Sequence, residues 1–309
     1  MFFLLVACAT DPKDAADDTA AETPLEDCAA AELFPTLTAD PANSDYPAPE
    51  LEAGCEGDEL VVRSNGIPWY EFVPLTPNEL MAVDNEWRVP LEPVAAEAPT
   101  EIPLLGVVAF VLVGLPAYGP NEAEFPDPYG DPVYNQIVDD CGGHTGGVGD
   151  YHLHAADTVC ATMSDAVAGE PSPVIGFALD GYPIYGPMGC LDAACAEVVE
   201  LRSGWNQIGD PTTYAWDAYS FVASDDAAVL DQCNGRIQPD GTYGYHATST
   251  FPYVLGCYHG VVAADGDTDD GGGGPEVIDC ADAEPGMPCC GDDVCDGPET
   301  ADNCPADCG

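Results

Sequence analysis

The residues best suited to chemistry in this chain are its five histidines, all of which lie within or beside one repeated pattern. Three of them, His144, His152 and His154, fall in the stretch Asp139 to Cys160, DDCGGHTGGVGDYHLHAADTVC. Side chains two apart on an extended strand share a face, so His152 and His154 can present both imidazoles to one ion while Tyr151 and Leu153 point away. Zinc or copper takes imidazole nitrogen at about 2.0 to 2.1 Å. A third nitrogen would come from His144, held near by Cys141 and the flexible Gly142-Gly143, or from His246. Asp150 and Asp180 are the carboxylates suited to orient a histidine or to act as a base. His259, in Cys257-Tyr-His-Gly260, reads as structural.

What positions these residues is a duplication. Setting Cys141 on Cys233 places Gly143 on Gly235, Gly149 on Gly241, Tyr151 on Tyr243 and His154 on His246, all at one offset. A second block precedes each copy: FVLVGLPAYGP from Phe110 matches FALDGYPIYGP from Phe177. Two such units, about 106–160 and 174–259, most simply pack around a pseudo-twofold axis, each covering a face the other cannot bury alone. A histidine site is then expected near that axis. The copies are not identical, since Arg236 stands where the first has His144, and one asymmetric site is expected rather than two alike. Tyr118 and Tyr185, at matched positions, read as plugs of proline-fixed turns.

These motifs carry a resemblance. Tyr151-His-Leu-His154 paired with Tyr243-Gly-Tyr-His246, the Asp-x-Cys-x-Gly lead-ins, Gly-Tyr-Pro-Ile-Tyr-Gly-Pro and Phe251-Pro-Tyr-Val-Leu-Gly-Cys257 together resemble the YHYH family of extracytoplasmic bacterial proteins, over about Ser64 to Gly260. Leu153 and Gly244 stand where the family motif has Tyr and His. The resemblance implies an exported domain and brings no activity with it.

Composition agrees with export and narrows the partners. A chain of 309 residues with 46% apolar content can bury a core in one or two domains. Against 5 Lys and Arg stand 56 Asp and Glu, a formal net charge of −51. Such a field repels nucleic acid and anionic membrane surfaces. The acids are spread along the chain, as in a solvated coat whose self-repulsion is screened by salt. The first eight residues, MFFLLVAC, resemble a bacterial lipobox with Cys8 as the lipidated residue, and residues 9–54 read as an acidic tether. An acylated Cys8 would make the membrane a partner through a lipid anchor and place the chain at the cell envelope or outer surface.

Apart from Cys8, the cysteines fall into groups that suggest an oxidising compartment. Cys28 and Cys55 precede the repeats, Cys141 with Cys160 and Cys233 with Cys257 would close equivalent loops, and Cys190 with Cys195 a local one. After a flexible acidic linker, residues 263–279, the segment 280–309 resembles a short cysteine-rich module found at the ends of large exported proteins. Its six cysteines would tie a small knot. Asp292, Glu299, Asp302 and Asp307 there offer oxygens for calcium, and the module would serve equally as a contact for a surface or cell-envelope partner.

Strands are expected at Leu60–Arg63, Val107–Val113, Val174–Leu179 and Tyr253–Leu255, with one turn of helix at Ala227–Asp231. The apolar run Leu104–Leu115 is too short to cross a bilayer and reads as a buried strand. The expected fold is a mainly β, disulfide-rich, long-loop domain over residues 55–262, with 33 glycines and 30 prolines leaving little room for long helices. Two functions fit these residues. One is a surface lipoprotein that binds zinc or copper, and it becomes an enzyme if an open metal position activates a water with Asp150 or Asp180 as base. The other is a structural or interaction module whose histidines are buried hydrogen bonders. No nucleophile elbow or phosphate-binding glycine loop is present, and no catalytic residue is identified.

Overall fold

A computed structural model describes residues 25–26, 28–123 and 127–262. Cys8, the linker and the cysteine-rich tail with its calcium candidates lie outside the described residues. In chain order the strands are β1 (Leu51–Glu56), β2 (Glu59–Ser64), β3 (Asn85–Pro90), β4 (Ala95–Thr100), β5 (Val107–Val111), β6 (Pro116–Tyr118), β7 (Gly143–Thr145) and β8 (Tyr151–Leu153). After a single helix, α1 (Thr158–Thr162), come β9 (Val174–Ala178), β10 (Pro183–Tyr185), β11 (Met188–Cys190), β12 (Val198–Glu200), β13 (Trp205–Gln207), β14 (Tyr219–Phe221), β15 (Gly235–Ile237), β16 (Tyr243–His246) and β17 (Tyr258–Gly260). The domain is mainly β, as expected.

Two sheets form its layers. The larger has the order β15-β16-β10-β9-β5-β6-β8-β7, and the smaller is the antiparallel meander β1-β2-β3. At the centre of the larger sheet, β5 and β9 run antiparallel with Phe110 opposite Phe177, two residues that the sequence aligns. Outward on one side β5 pairs with β6 (Phe110↔Pro116), and on the other β9 pairs with β10 (Phe177↔Pro183). Next β6 lies parallel to β8 through Ala117↔Leu153, and β10 parallel to β16 through Ile184↔Tyr245. Last, β8 pairs antiparallel with β7 (His144↔His152), and β16 with β15 (Arg236↔Gly244). Each register on one side joins the positions aligned with those joined on the other.

The core follows from the apolar run. Val-Val-Ala-Phe-Val of β5 is β-branched or aromatic at four of five places and buried at all five. One face of the run, with Val107, Phe110 and Leu112, packs on Leu60, Val62, Trp87 and Val89 of the small sheet, where Trp87 stacks on Phe110 at 5.0 Å. The opposite face joins Val108, Val111 and Val113 to Tyr151, Leu153, Ile184, Tyr245 and Phe251. Gly114 turns β5 into β6 at φ +73, where a Cβ would strike Ser64 and Leu51.

Several expectations need correction. Tyr253–Leu255 is a turn and not a strand: Tyr253 sits at φ 61, outside extended backbone, its N–H donates to Thr250 O and its hydroxyl donates to buried Asp131 at 2.7 Å. Ala227–Asp231 holds no helix, because Asp226 takes the Ala228 N–H and Arg202 bridges Val229. Among the described residues the one α-helix falls at Thr158–Thr162, begun by the Asp157 carboxylate, which accepts from the N–H groups of Val159 and Cys160. Residues 28–54, read with the tether, lie against the domain: Asn43 is buried and bonds Pro68 O, Tyr70 O and Phe72 N, and Phe34 stacks on Phe177. Four disulfides close among the described residues, Cys141–Cys160, Cys233–Cys257, Cys190–Cys195 and Cys28–Cys55. No helix among the described residues is long and apolar enough to cross a membrane.

Candidate metal centre

The β7–β8 hairpin at one edge of the large sheet brings the histidines together. Antiparallel pairing sets His144 opposite His152, and His154 follows β8 with its N–H donated to Gly142 O. The lead-in loop is locked by Asp139, whose carboxylate accepts from the N–H groups of Cys141 and Gly143 and from the Tyr151 hydroxyl at 2.7 Å. The tyrosine of the motif is thus a loop tie, and the histidines are left for other work. Gly142, at φ +89, lies so close to Ala155 O that a Cβ would come within 2.4 Å. Side chains are excluded there.

The three rings form a near-equilateral triangle, with centroids 4.8, 5.0 and 5.0 Å apart and interplanar angles of 85, 78 and 73°. The fourth member is Glu122, on the segment after β6, whose Oε2 lies 3.0 Å from His144 Nε2 and 3.2 Å from His154 Nε2. One ligand atom from each of Glu122, His144, His152 and His154 fits within 4.8 Å of all the others. Buried Asp127 holds Glu122 in place by accepting the N–H groups of Glu122 and Ala123.

Tautomers decide what these atoms can bind. His144 Nδ1 is 2.8 Å from Ile137 O and His154 Nδ1 is 2.7 Å from Gly119 O. A carbonyl only accepts, so both Nδ1 atoms carry hydrogen, and in the neutral rings both Nε2 atoms present lone pairs. His152 Nδ1 lies 3.3 Å from Asp150 Oδ2, near enough for charge pairing though off the line of a hydrogen bond, and its Nε2 is 3.1 Å from His144 Nε2. The His152 ring also stacks on Tyr118 at 4.1 Å, and the Tyr118 hydroxyl donates to Asp150. Buried Glu122 Oε2 and His154 Nε2 have no hydrogen-bond partner. Lone pairs crowded together out of water repel unless a cation sits among them.

No side-chain cation from the described residues fills that role. Arg63 and Arg88 pair with glutamates of the small sheet, Arg202 with Asp226, and Arg236 donates to Cys190 O and Gln238. The cluster therefore shares protons. Burial would raise the Glu122 carboxyl, but His144 and His154 outweigh it and hold it down at about 2. Burial opposes charge on His144 as well, yet the Glu122 carboxylate pushes it above its ordinary value. Burial, helped by the two other imidazoles, pulls His152 below its ordinary value despite Asp150.

The remaining candidates lie elsewhere. His246, on β16 of the other half of the sheet, donates from Nδ1 to Gly186 O at 2.8 Å and accepts from Gln238 at 2.9 Å. Asp180, fully buried, accepts from the Tyr245 hydroxyl and from the N–H groups of Gly260 and Tyr182, tying β16 and β17 to a turn. His259 stacks on Tyr243 at 3.6 Å. Glu122 was missed by sequence reasoning, although a signal exists. Carried two residues past the aligned block, the offset sets Glu122 on Gly189, so three positions of the cluster change together in the second copy: Glu122 to Gly189, His144 to Arg236, His152 to Gly244.

A comparison with protein-family models matches residues 86–260, more than half of the chain, to the family described as YHYH protein. No curated protein and no solved structure matches.

Proposed function

Because the chain belongs to the YHYH family, with the family's region spanning the whole histidine cluster, we propose that it is an exported protein whose YHYH domain binds one zinc or copper ion through His144, His152, His154 and Glu122. The observation that carries this reading is the convergence of three imidazole nitrogens and a carboxylate oxygen in a buried place that no Lys or Arg among the described residues reaches. Three nitrogens and one oxygen suit zinc or copper, and the carbonyls that accept from Nδ1 of His144 and His154, with Asp150 beside Nδ1 of His152, resemble the outer partners that orient metal-bound histidines.

The doubled arrangement is part of the proposal. Two related units about a pseudo-twofold between β5 and β9 would account for the matched registers, the matched cystine loops, and the paired contacts of Asp139 with Tyr151 and Asp231 with Tyr243. The ion then belongs to one half and not to the axis. Lipidation at Cys8 and a surface contact made by the cysteine-rich tail extend the same reading, supported by the MFFLLVAC run and the six tail cysteines.

The test is metal analysis of the purified full chain, followed by stripping with a chelator and titration with zinc and copper. About one ion per chain is expected, lost in both His144→Ala and His154→Ala. Absence of stoichiometric metal in folded wild-type protein at neutral pH would leave the histidines as buried hydrogen bonders.

A further inference from the structure

Resting on the metal reading, we infer that the ion carries an exchangeable position facing a cleft built for an uncharged small molecule with a nitrogen or oxygen donor. A cleft of about 500 Å³ opens beside the cluster and is lined by Glu122, His152 and His154. That volume lies within the range of small-ligand sites. The four ligands are not equally enclosed: the His144, His152 and His154 side chains are 0, 5 and 1% exposed, and Glu122 is 18% exposed. His154 Nε2, without a hydrogen-bond partner, belongs to a residue on the cleft wall, so the unsatisfied atom and the cavity are one site.

The imidazoles are held by the pairing of the hairpin and, for His144 and His154, by carbonyl acceptors for Nδ1, whereas Glu122 reaches in from a loop. An incoming donor therefore displaces or joins Glu122 and leaves the three nitrogens in place.

Charge selects the ligand. Lys and Arg are absent from the lining, which carries the carboxylates Asp84, Glu122 and Asp150. A divalent ion balances Glu122 and Asp150, and Asp84 leaves one negative charge. An anion is repelled by that remaining charge, and a protonated cation brings no free lone pair to the metal. The rest of the surface is largely apolar, with Val83, Leu105, Val107 and Val148 among the lining residues. Val148, 69% exposed, stands at the rim.

The experiment loads the stripped full chain with cobalt(II) and follows its visible d–d bands during titration with imidazole, a neutral donor, and with azide, an anion. Wild-type protein is expected to respond to imidazole at concentrations at least about tenfold lower than to azide, with Asp84→Asn narrowing the gap. Val148→Trp should weaken the imidazole response about tenfold while cobalt stoichiometry stays at one. Bands that ignore imidazole, that respond to azide as readily as to imidazole, or that respond to imidazole equally in wild type and Val148→Trp overturn the cleft assignment with the metal site intact. Failure to take up cobalt at all overturns the metal reading and this inference with it.

Discussion

Asp150 shows how much a single residue can decide at the cluster. Its carboxylate faces His152 Nδ1, where it favours the tautomer whose Nε2 points at the other ligands, and it is braced by the Tyr118 hydroxyl. Asp150→Asn should keep the fold and weaken metal binding about 10- to 100-fold, measured by competition with a chelator of known affinity. The metal-free cluster also has a definite pH behaviour. His144 is raised above 6.5, so its contribution to apo stability is full below 6.5 and lost as pH rises through the raised value. Glu122 is depressed to about 2, so its contribution is present above 4.5 and lost as pH falls toward about 2. His152 is depressed, so it favours folding above 6.5 and that part is lost as pH falls through its lowered value. On the proposed reading, metal displaces the proton that the nearby Glu122 carboxylate favours on His144. Calorimetry in buffers of different ionisation heat should therefore find about one proton released per ion near pH 6 and fewer as pH rises. Proton release that does not change with pH would contradict the shared proton.

Among the elements, the β7–β8 hairpin and its counterpart β15–β16 offer a controlled comparison. Cys141–Cys160 ties the first and Cys233–Cys257 the second, with sequence separations of 19 and 24 residues. Replacing either pair by serine should cost about 3 kcal/mol of stability in urea unfolding. Metal affinity should fall only when the first pair is removed, because only that hairpin carries His144 and His152. Equal loss of affinity from both replacements would place the ligands on the wrong element. These loops were legible in the sequence because the duplication itself pairs the cysteines, and β5 and β9 because branched apolar runs bounded by glycine have few other uses. Tyr253–Leu255 was not legible: its composition favours a strand, but Tyr253 is drawn into a turn by Asp131, more than a hundred residues away in sequence. Glu122 was hidden for a related reason. A lone glutamate among 56 acids carries no local signal, and only the chain path from β6 to the hairpin brings it to the imidazoles.

For the whole molecule, the two halves solve one electrostatic problem differently. A chain with 5 basic residues has few cations to place in its interior. In the second half, Arg236 takes the position of His144 and donates to Cys190 O and Gln238, while Gln238 donates to His246 Nε2. Burial, aided by the Arg236 charge and opposed by Gly186 O, keeps the His246 imidazole neutral, down at about 4. That half satisfies its buried histidine from within the chain. The first half holds three histidines and a carboxylate in a cluster that could hold an ion, and under the proposed function its satisfaction comes from outside the chain. Ligands that bind only the folded state stabilise it, and here the gain should be local to the elements that hold the ion. Hydrogen exchange on metal-loaded and chelator-stripped protein should show faster exchange in β7, β8 and the Gly119–Glu122 segment after stripping, with β15 and β16 unchanged. Uniform acceleration across both halves would mean that the ion supports the entire sheet, and no change anywhere would mean that the cluster holds itself together with protons alone.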